Sequence, residues 1–210
     1  MARVRLIAYS DYLCPWCFNA TVRLRQVEKQ FAGEVRVEWR SFLLRPRPGA
    51  TRSLEEFRAY TRSWLRPASE PDAGTFRVWQ GDAGPPTHSV PPHLVAKAAA
   101  SLGDDAFHAM HDRLLRAYFA ESRDVTDADT LHALWGEAGL PEAEFARVAD
   151  PRWLEQTTTE HNEAVRLGVN GVPATRIDGN DAFVIGAYPL DMYRRWLRRM
   201  LDPPGAGPAV

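Results

Sequence analysis

Cysteine is scarce in this 210-residue chain: Cys14 and Cys17 are its only two. That excludes a framework of several disulfides, and it excludes an all-cysteine zinc site, which takes four ligands. Lysine is nearly absent and arginine abundant, which we read as coding bias. Neither sign of charge dominates. With 26 basic and 27 acidic residues the net charge is −1, so there is no electrostatic case for a nucleic-acid or membrane partner. No apolar run approaches the roughly 18 residues of a membrane span. The first residues carry Arg3 and Arg5 where a signal peptide needs apolar sequence, and no small-residue cleavage site follows. A cytoplasmic location is the expectation. There a permanent structural disulfide is not expected, whereas a transient catalytic one is.

What is present is the composition of an ordinary globular protein, 45% hydrophobic and 25% charged, long enough to bury a real core. Val4, Leu6 and Ala8 alternate as in a strand. After Cys17, Val22, Leu24, Val27 and Phe31 recur at helical spacing, and Gly33 is placed to stop the helix. Val35, Val37 and Trp39 then alternate with Arg36, Glu38 and Arg40, which predicts a second strand. A strand, a helix and a strand in that order imply a right-handed crossover and parallel pairing.

From Pro46 the character changes. Ser53 and Glu56 form a capping box that opens a helix. The Pro- and Gly-rich stretch of residues 66–92 reads as a long loop, a candidate lid. Helical stripes follow, one through Phe107, Met110, Leu114, Leu115, Tyr118 and Phe119, another through Leu131, Leu134 and Trp135; such stripes face a core. Near the end a helix stops at Gly168, two strands meet at a turn over Asp178, Gly179 and Asn180, and a last helix begins near Pro189. The pattern is β-α-β, a block of helices, then α-β-β-α: an α/β domain of residues 1–50 and 152–202, an all-helical insertion over 51–151, and a frayed tail over 203–210.

The sequence Cys14-Pro15-Trp16-Cys17 lies between the first strand and the first helix. Four readings compete: a structural staple, half of a metal site, a redox pair, and chance. Zinc lacks ligands, since the six histidines are scattered and nothing ties His108 and His111 to the cysteines. A Cys-x-x-Cys pair at a helix start has a specific use. Cys14 sits where free backbone N–H groups and the helix macrodipole favour an anion, and the thiolate is the attacking form of cysteine. Cys17, one turn further in, is expected to be more buried and to act as the resolving thiol. Pro15 suits the first helical turn, where its missing N–H is not needed. Trp16 adds apolar surface beside the sulfur.

A second anchor is Asn170-Gly171-Val172-Pro173, between a helix and a strand. Val172–Pro173 is a natural place for a cis peptide, and the backbone of Val172 can be offered to an incoming extended chain. Taken alone, a plain turn explains it equally well.

CPWC after an N-terminal strand, the helical insertion, "GVNGVPATRIDG" and "AFVIGAYPLDMYRRWL" together resemble the DsbA family of the thioredoxin superfamily, over about residues 3 to 201. The FrnE-like cytoplasmic oxidoreductases are the most similar branch, and 2-hydroxychromene-2-carboxylate isomerase-like proteins are related. The resemblance implies a thioredoxin-like fold with a large helical insertion. It implies a thiol–disulfide oxidoreductase working through a Cys14–Cys17 disulfide, with Cys14 as nucleophile, Cys17 as resolving thiol and Pro173 as the cis-proline facing them. Pro15, Trp16 and the backbone of Val172 would meet substrate. No permanently bound cofactor and no metal is implied; glutathione is a candidate co-substrate, and the partner is a thiol- or disulfide-bearing protein or small molecule. A homodimer is compatible. Trp16 stands where periplasmic DsbA has His.

Two other functions are carried forward. One is a glutathione-dependent isomerase, although those enzymes generally place Ser at the position of Cys14. The other is a non-catalytic redox sensor. Asp11 is read as a turn residue capping its loop, with thiol tuning or proton shuttling as the alternative. His93 is read as a surface or capping residue, and the arginines at 194, 195, 198 and 199 as a solvated helix face.

Overall fold

The computed structural model describes residues 2–49 and 52–202; the tail expected over 203–210 lies outside them. Strand β1 (Val4–Ser10) leads into helix α1 (Pro15–Gln30) and strand β2 (Val35–Ser41). Helices α2 (Leu54–Thr61), α3 (Leu65–Ala68), α4 (Val90–Ala100), α5 (Asp104–Glu121) and α6 (Ala128–Glu137) follow, with short 3₁₀ turns over Arg62–Trp64 and Glu142–Ala149. Helix α7 (Arg152–Arg166), strands β3 (Ala174–Ile177) and β4 (Val184–Ile185) and helix α8 (Leu190–Leu201) complete the chain.

The sheet order is β2-β1-β3-β4. β1 pairs parallel with β2 and antiparallel with β3, and β3 pairs antiparallel with β4. The parallel pair is the one the β-α-β order requires. β1 is covered on both faces, and its period-2 geometry divides the burial. Leu6 and Ala8 pack with Leu24 and Val27 of α1 and Leu197 of α8. Ile7 and Tyr9 pack on the opposite face with Ala164 of α7 and with Ala174. The expected final hairpin forms, but its second strand is only the two residues of β4.

A separate apolar cluster holds Trp64, Trp79, Met110, Leu114, Phe119, Leu134 and Trp135, together with Phe18 of α1. Ser53 and Glu56 make the reciprocal capping box that opens α2. The expected loop over 66–92 is shorter and less open than its proline and glycine content implies. Arg66 belongs to α3, Val90 begins α4, and Pro91 and Pro92 fit the first turn of that helix. The intervening segment is held down: Trp79 is buried, Phe76 packs at an angle against Phe18 and edge-on against Phe119, and the Arg77 N–H donates to the Phe119 carbonyl at 2.8 Å.

β2 is an edge strand, and side chains occupy two of its outward amides and one just beyond it. Val37 N–H donates to Glu28 at 2.7 Å, Ser41 N–H to Glu160 at 2.7 Å, and Leu43 N–H to His161 Nδ1 at 3.1 Å.

Candidate active site

Cys14 is the N-cap of α1, in an extended conformation (φ −98°, ψ 113°), with Pro15 in the first turn. Its sulfur accepts from the Cys17 N–H at 3.3 Å. An N-cap side chain takes up one of the amides a helix start leaves free, and here that acceptor is sulfur. The Cys14 thiol also faces the Val172 carbonyl oxygen at 3.3 Å. The Val172–Pro173 bond is cis, and Pro173 is buried. The segments that the sequence singled out thus meet at one sulfur. Cys17 is fully buried and Cys14 is 5% exposed; both are free thiols. Burial pushes the Cys17 thiol well up from its ordinary range, and neighbouring Cys14 adds to the shift. Pro15 and Trp16 are partly exposed.

Asp11 is fully buried. Its carboxylate accepts from Leu13 N–H at 2.6 Å and from Leu44 N–H at 2.7 Å. The first contact is the turn-capping bond the sequence suggests; the second ties the cysteine loop to the end of β2. Burial raises its pKa to about 6, partly offset by hydrogen bonds from Ser89, Leu44 and Leu13. His93 departs from the surface role expected of it. It is buried against Tyr12, ring centroids 4.9 Å apart, and burial, with the Lys97 cation, pushes its pKa down to about 3.

Several residues that position the site gave no sequence signal. Arg23, fully buried on α1, donates to the carbonyls of Ala187, Tyr188 and Pro71 at 2.8, 3.1 and 2.7 Å. Asn19 donates to the Pro67 carbonyl and accepts from Gly74 N–H, both at 2.9 Å. These bonds fix α1, and with it both cysteines, against α3 and the chain after β4. Lys97 and Glu160 pair at 2.6 Å with little exposure. Among the described residues no cluster of three or more His, Cys, Asp or Glu is placed to hold a metal, and no helix is long and apolar enough to cross a membrane. A hollow of about 750 Å³ lies along β2 beside Trp39, Asp104 and His108 and is lined by neither cysteine.

A frame of β-α-β and then α-β-β-α, with a Cys-x-x-Cys pair at the start of its first helix, defines a protein of the thioredoxin-fold class. More narrowly, the chain belongs to the DSBA-like thioredoxin domain family, which it matches over residues 5–69 and 82–198; the unmatched gap falls in the irregular segment after α3. It is 26% identical to YwbO of Bacillus subtilis over 208 residues, 91% of this chain and 94% of that one. A structure described as a probable DsbA oxidoreductase from Streptomyces coelicolor is 25% identical with a TM-score of 0.75, covering 99% of this chain and 94% of its own. The cytosolic disulfide reductase DsbM of Pseudomonas aeruginosa, also solved with GSH, shares the fold at 22% identity and a TM-score of 0.72, over 94% of this chain and 98% of its own. So does a 2-hydroxychromene-2-carboxylate isomerase, at 16% identity and a TM-score of 0.64, over 94% and 96%. Disulfide oxidoreductases are therefore among the structural neighbours of this chain.

Proposed function

We propose that the protein is a thiol–disulfide oxidoreductase in which Cys14 is the nucleophile and Cys17 the resolving thiol. The observation that carries this reading is the Cys14 sulfur at the open end of α1, taking the Cys17 N–H at 3.3 Å while facing the Val172 carbonyl. Negative charge on that sulfur is met by a backbone N–H and by the helix macrodipole. In the reducing direction the Cys14 thiolate attacks a substrate disulfide, forming a mixed disulfide and releasing one substrate thiolate. Cys17 then loses its proton and attacks the Cys14 sulfur, which releases the second thiolate and leaves a Cys14–Cys17 disulfide. Two electrons pass from the cysteine pair to the substrate; the oxidising direction is the reverse. The buried, protonated Cys17 suits a group that acts second. The Val172 backbone faces the sulfur, and in this reading it forms the substrate contact surface together with Pro15, Trp16 and Pro173.

In this reading residues 1–50 and 152–202 form the redox domain and 51–151 the inserted helical one. The working compartment is the cytoplasm, with glutathione as a candidate co-substrate. The shared fold of the isomerase does not favour that activity here, since Cys14 presents a thiol where those enzymes generally have Ser.

The test is turnover of glutathione disulfide or insulin. Cys14→Ser abolishes it, and Cys17→Ser accumulates a mixed disulfide at Cys14, seen as an adduct mass. Wild-type turnover in both variants would refute the reading. A redox sensor would instead give a Cys14–Cys17 bond that follows the ambient potential without multiple turnover.

A further inference from the structure

We propose that Arg66 selects substrates carrying a carboxylate near the exchanging sulfur, so that the disulfide handled at Cys14 is a small acidic one of the glutathione type. This rests on the oxidoreductase reading and adds to it the residue that recognises the substrate's carboxylate. The guanidinium of Arg66 lies over the ring of Trp16, 5.8 Å from its centroid. Trp16 lies between the two cysteines in the chain, so this cation stands against the residue that separates them. Stacking on the ring face holds an arginine while leaving its in-plane donors free for a planar carboxylate.

The charge is available. Arg66 is exposed, and among the described residues it enters no ion pair, whereas the neighbouring acids are engaged. Glu70 faces Arg23 at 3.6 Å, and Asp11 is buried with two backbone N–H groups on its oxygens. The position is also fixed. Pro67, the next residue, accepts from Asn19 of α1 at 2.9 Å, and the Arg66 carbonyl accepts from Ser69 Oγ at 2.8 Å. The backbone that carries the guanidinium is thus braced against the helix that carries Cys17. An anionic substrate approaching Cys14 meets a helix N-terminus and a free guanidinium; a neutral one meets the first alone.

The test compares the wild type, Arg66→Met and Arg66→Lys on two disulfides. One is glutathione disulfide, which carries carboxylates; the other is bis(2-hydroxyethyl) disulfide, which carries none. In Arg66→Met the ratio of kcat/KM, glutathione disulfide over the neutral disulfide, is expected to fall about three- to tenfold, through a raised KM for the acidic substrate. Arg66→Lys restores part of the ratio, and added salt lowers it in the wild type but not in Arg66→Met. A ratio that does not move in Arg66→Met overturns the proposal. A wild type that turns over insulin but neither small disulfide overturns the proposal, and one that turns over none of the three sinks the oxidoreductase reading instead. Arg66 is then judged by binding of reduced glutathione, followed by NMR: weaker binding in Arg66→Met supports its role, and equal binding, or none to the wild type, overturns it.

Discussion

The Val172 carbonyl oxygen stands 3.3 Å from the Cys14 sulfur across 158 residues of sequence. The loop before β3 thus covers one side of the thiol at the start of α1, while Cys17 is sealed beneath it. The two sulfurs therefore differ in access, and the difference is measurable. Iodoacetamide is expected to alkylate Cys14 first, about a hundredfold or more faster than Cys17, which reacts only when the protein opens. Mass spectrometry after limited labelling reads the order; equal labelling of both sites would contradict it.

Trp79 anchors a segment that its sequence presents as a loop. It is 1% exposed and packs edge-on against Phe57, centroids 5.1 Å apart. Trp79→Ala is expected to cost about 3–5 kcal/mol in urea unfolding and to expose residues 70–88 to protease. A loss under about 1 kcal/mol would mean that this segment moves as a free lid.

The Lys97–Glu160 pair joins α4 to α7, and Glu160 also accepts the Ser41 amide of β2. Removing one partner of a buried pair leaves the other uncompensated, so Lys97→Met is expected to destabilise by about 3–5 kcal/mol. The double variant Lys97→Met/Glu160→Gln should lose less than the sum of the two single changes, in a double-mutant cycle on denaturant midpoints. Strict additivity would rule the coupling out.

Asp11 makes stability depend on pH in a stated direction. Its folded pKa of about 6 is above the ordinary value of 3.8, so the native state holds this proton more tightly than the unfolded chain. The contribution is fully present below pH 3.8 and is lost as pH rises to about 6, a change of about 3 kcal/mol. The stability of the wild type minus that of Asp11→Asn should fall by that order between pH 4 and 6.5 and be flat above. A difference that is flat throughout, or that rises, would contradict the raised pKa.

Features whose signal is local were legible in the sequence. The alternation in β2, the spacing of Leu24 and Val27, the Ser53–Glu56 box and Cys14 before Pro15 each specify structure within a few residues. Lys97, Asp11, His93 and Arg23 were not legible as buried groups, because what buries them is distant in sequence. Glu160 is 63 residues from Lys97. The acceptors for Arg23 are backbone carbonyls at 71, 187 and 188, and every residue has one. Proline and glycine marked the stretch after α3 as irregular, which it is, but its packing depended on aromatic partners in α2 and α5. The aromatics within that stretch, Phe76 and Trp79, were the available signal that it is not loose.

The carboxylates of Glu28 and Glu160 and the imidazole of His161, set against the amides along β2, have a bearing on life among non-native polypeptides. A row of vacant amides is a template onto which a stray chain can zip and stay. With those donors already engaged, this border of the sheet gives such a chain fewer groups to grip. The sheet thereby offers less open edge on which a growing fibril could form.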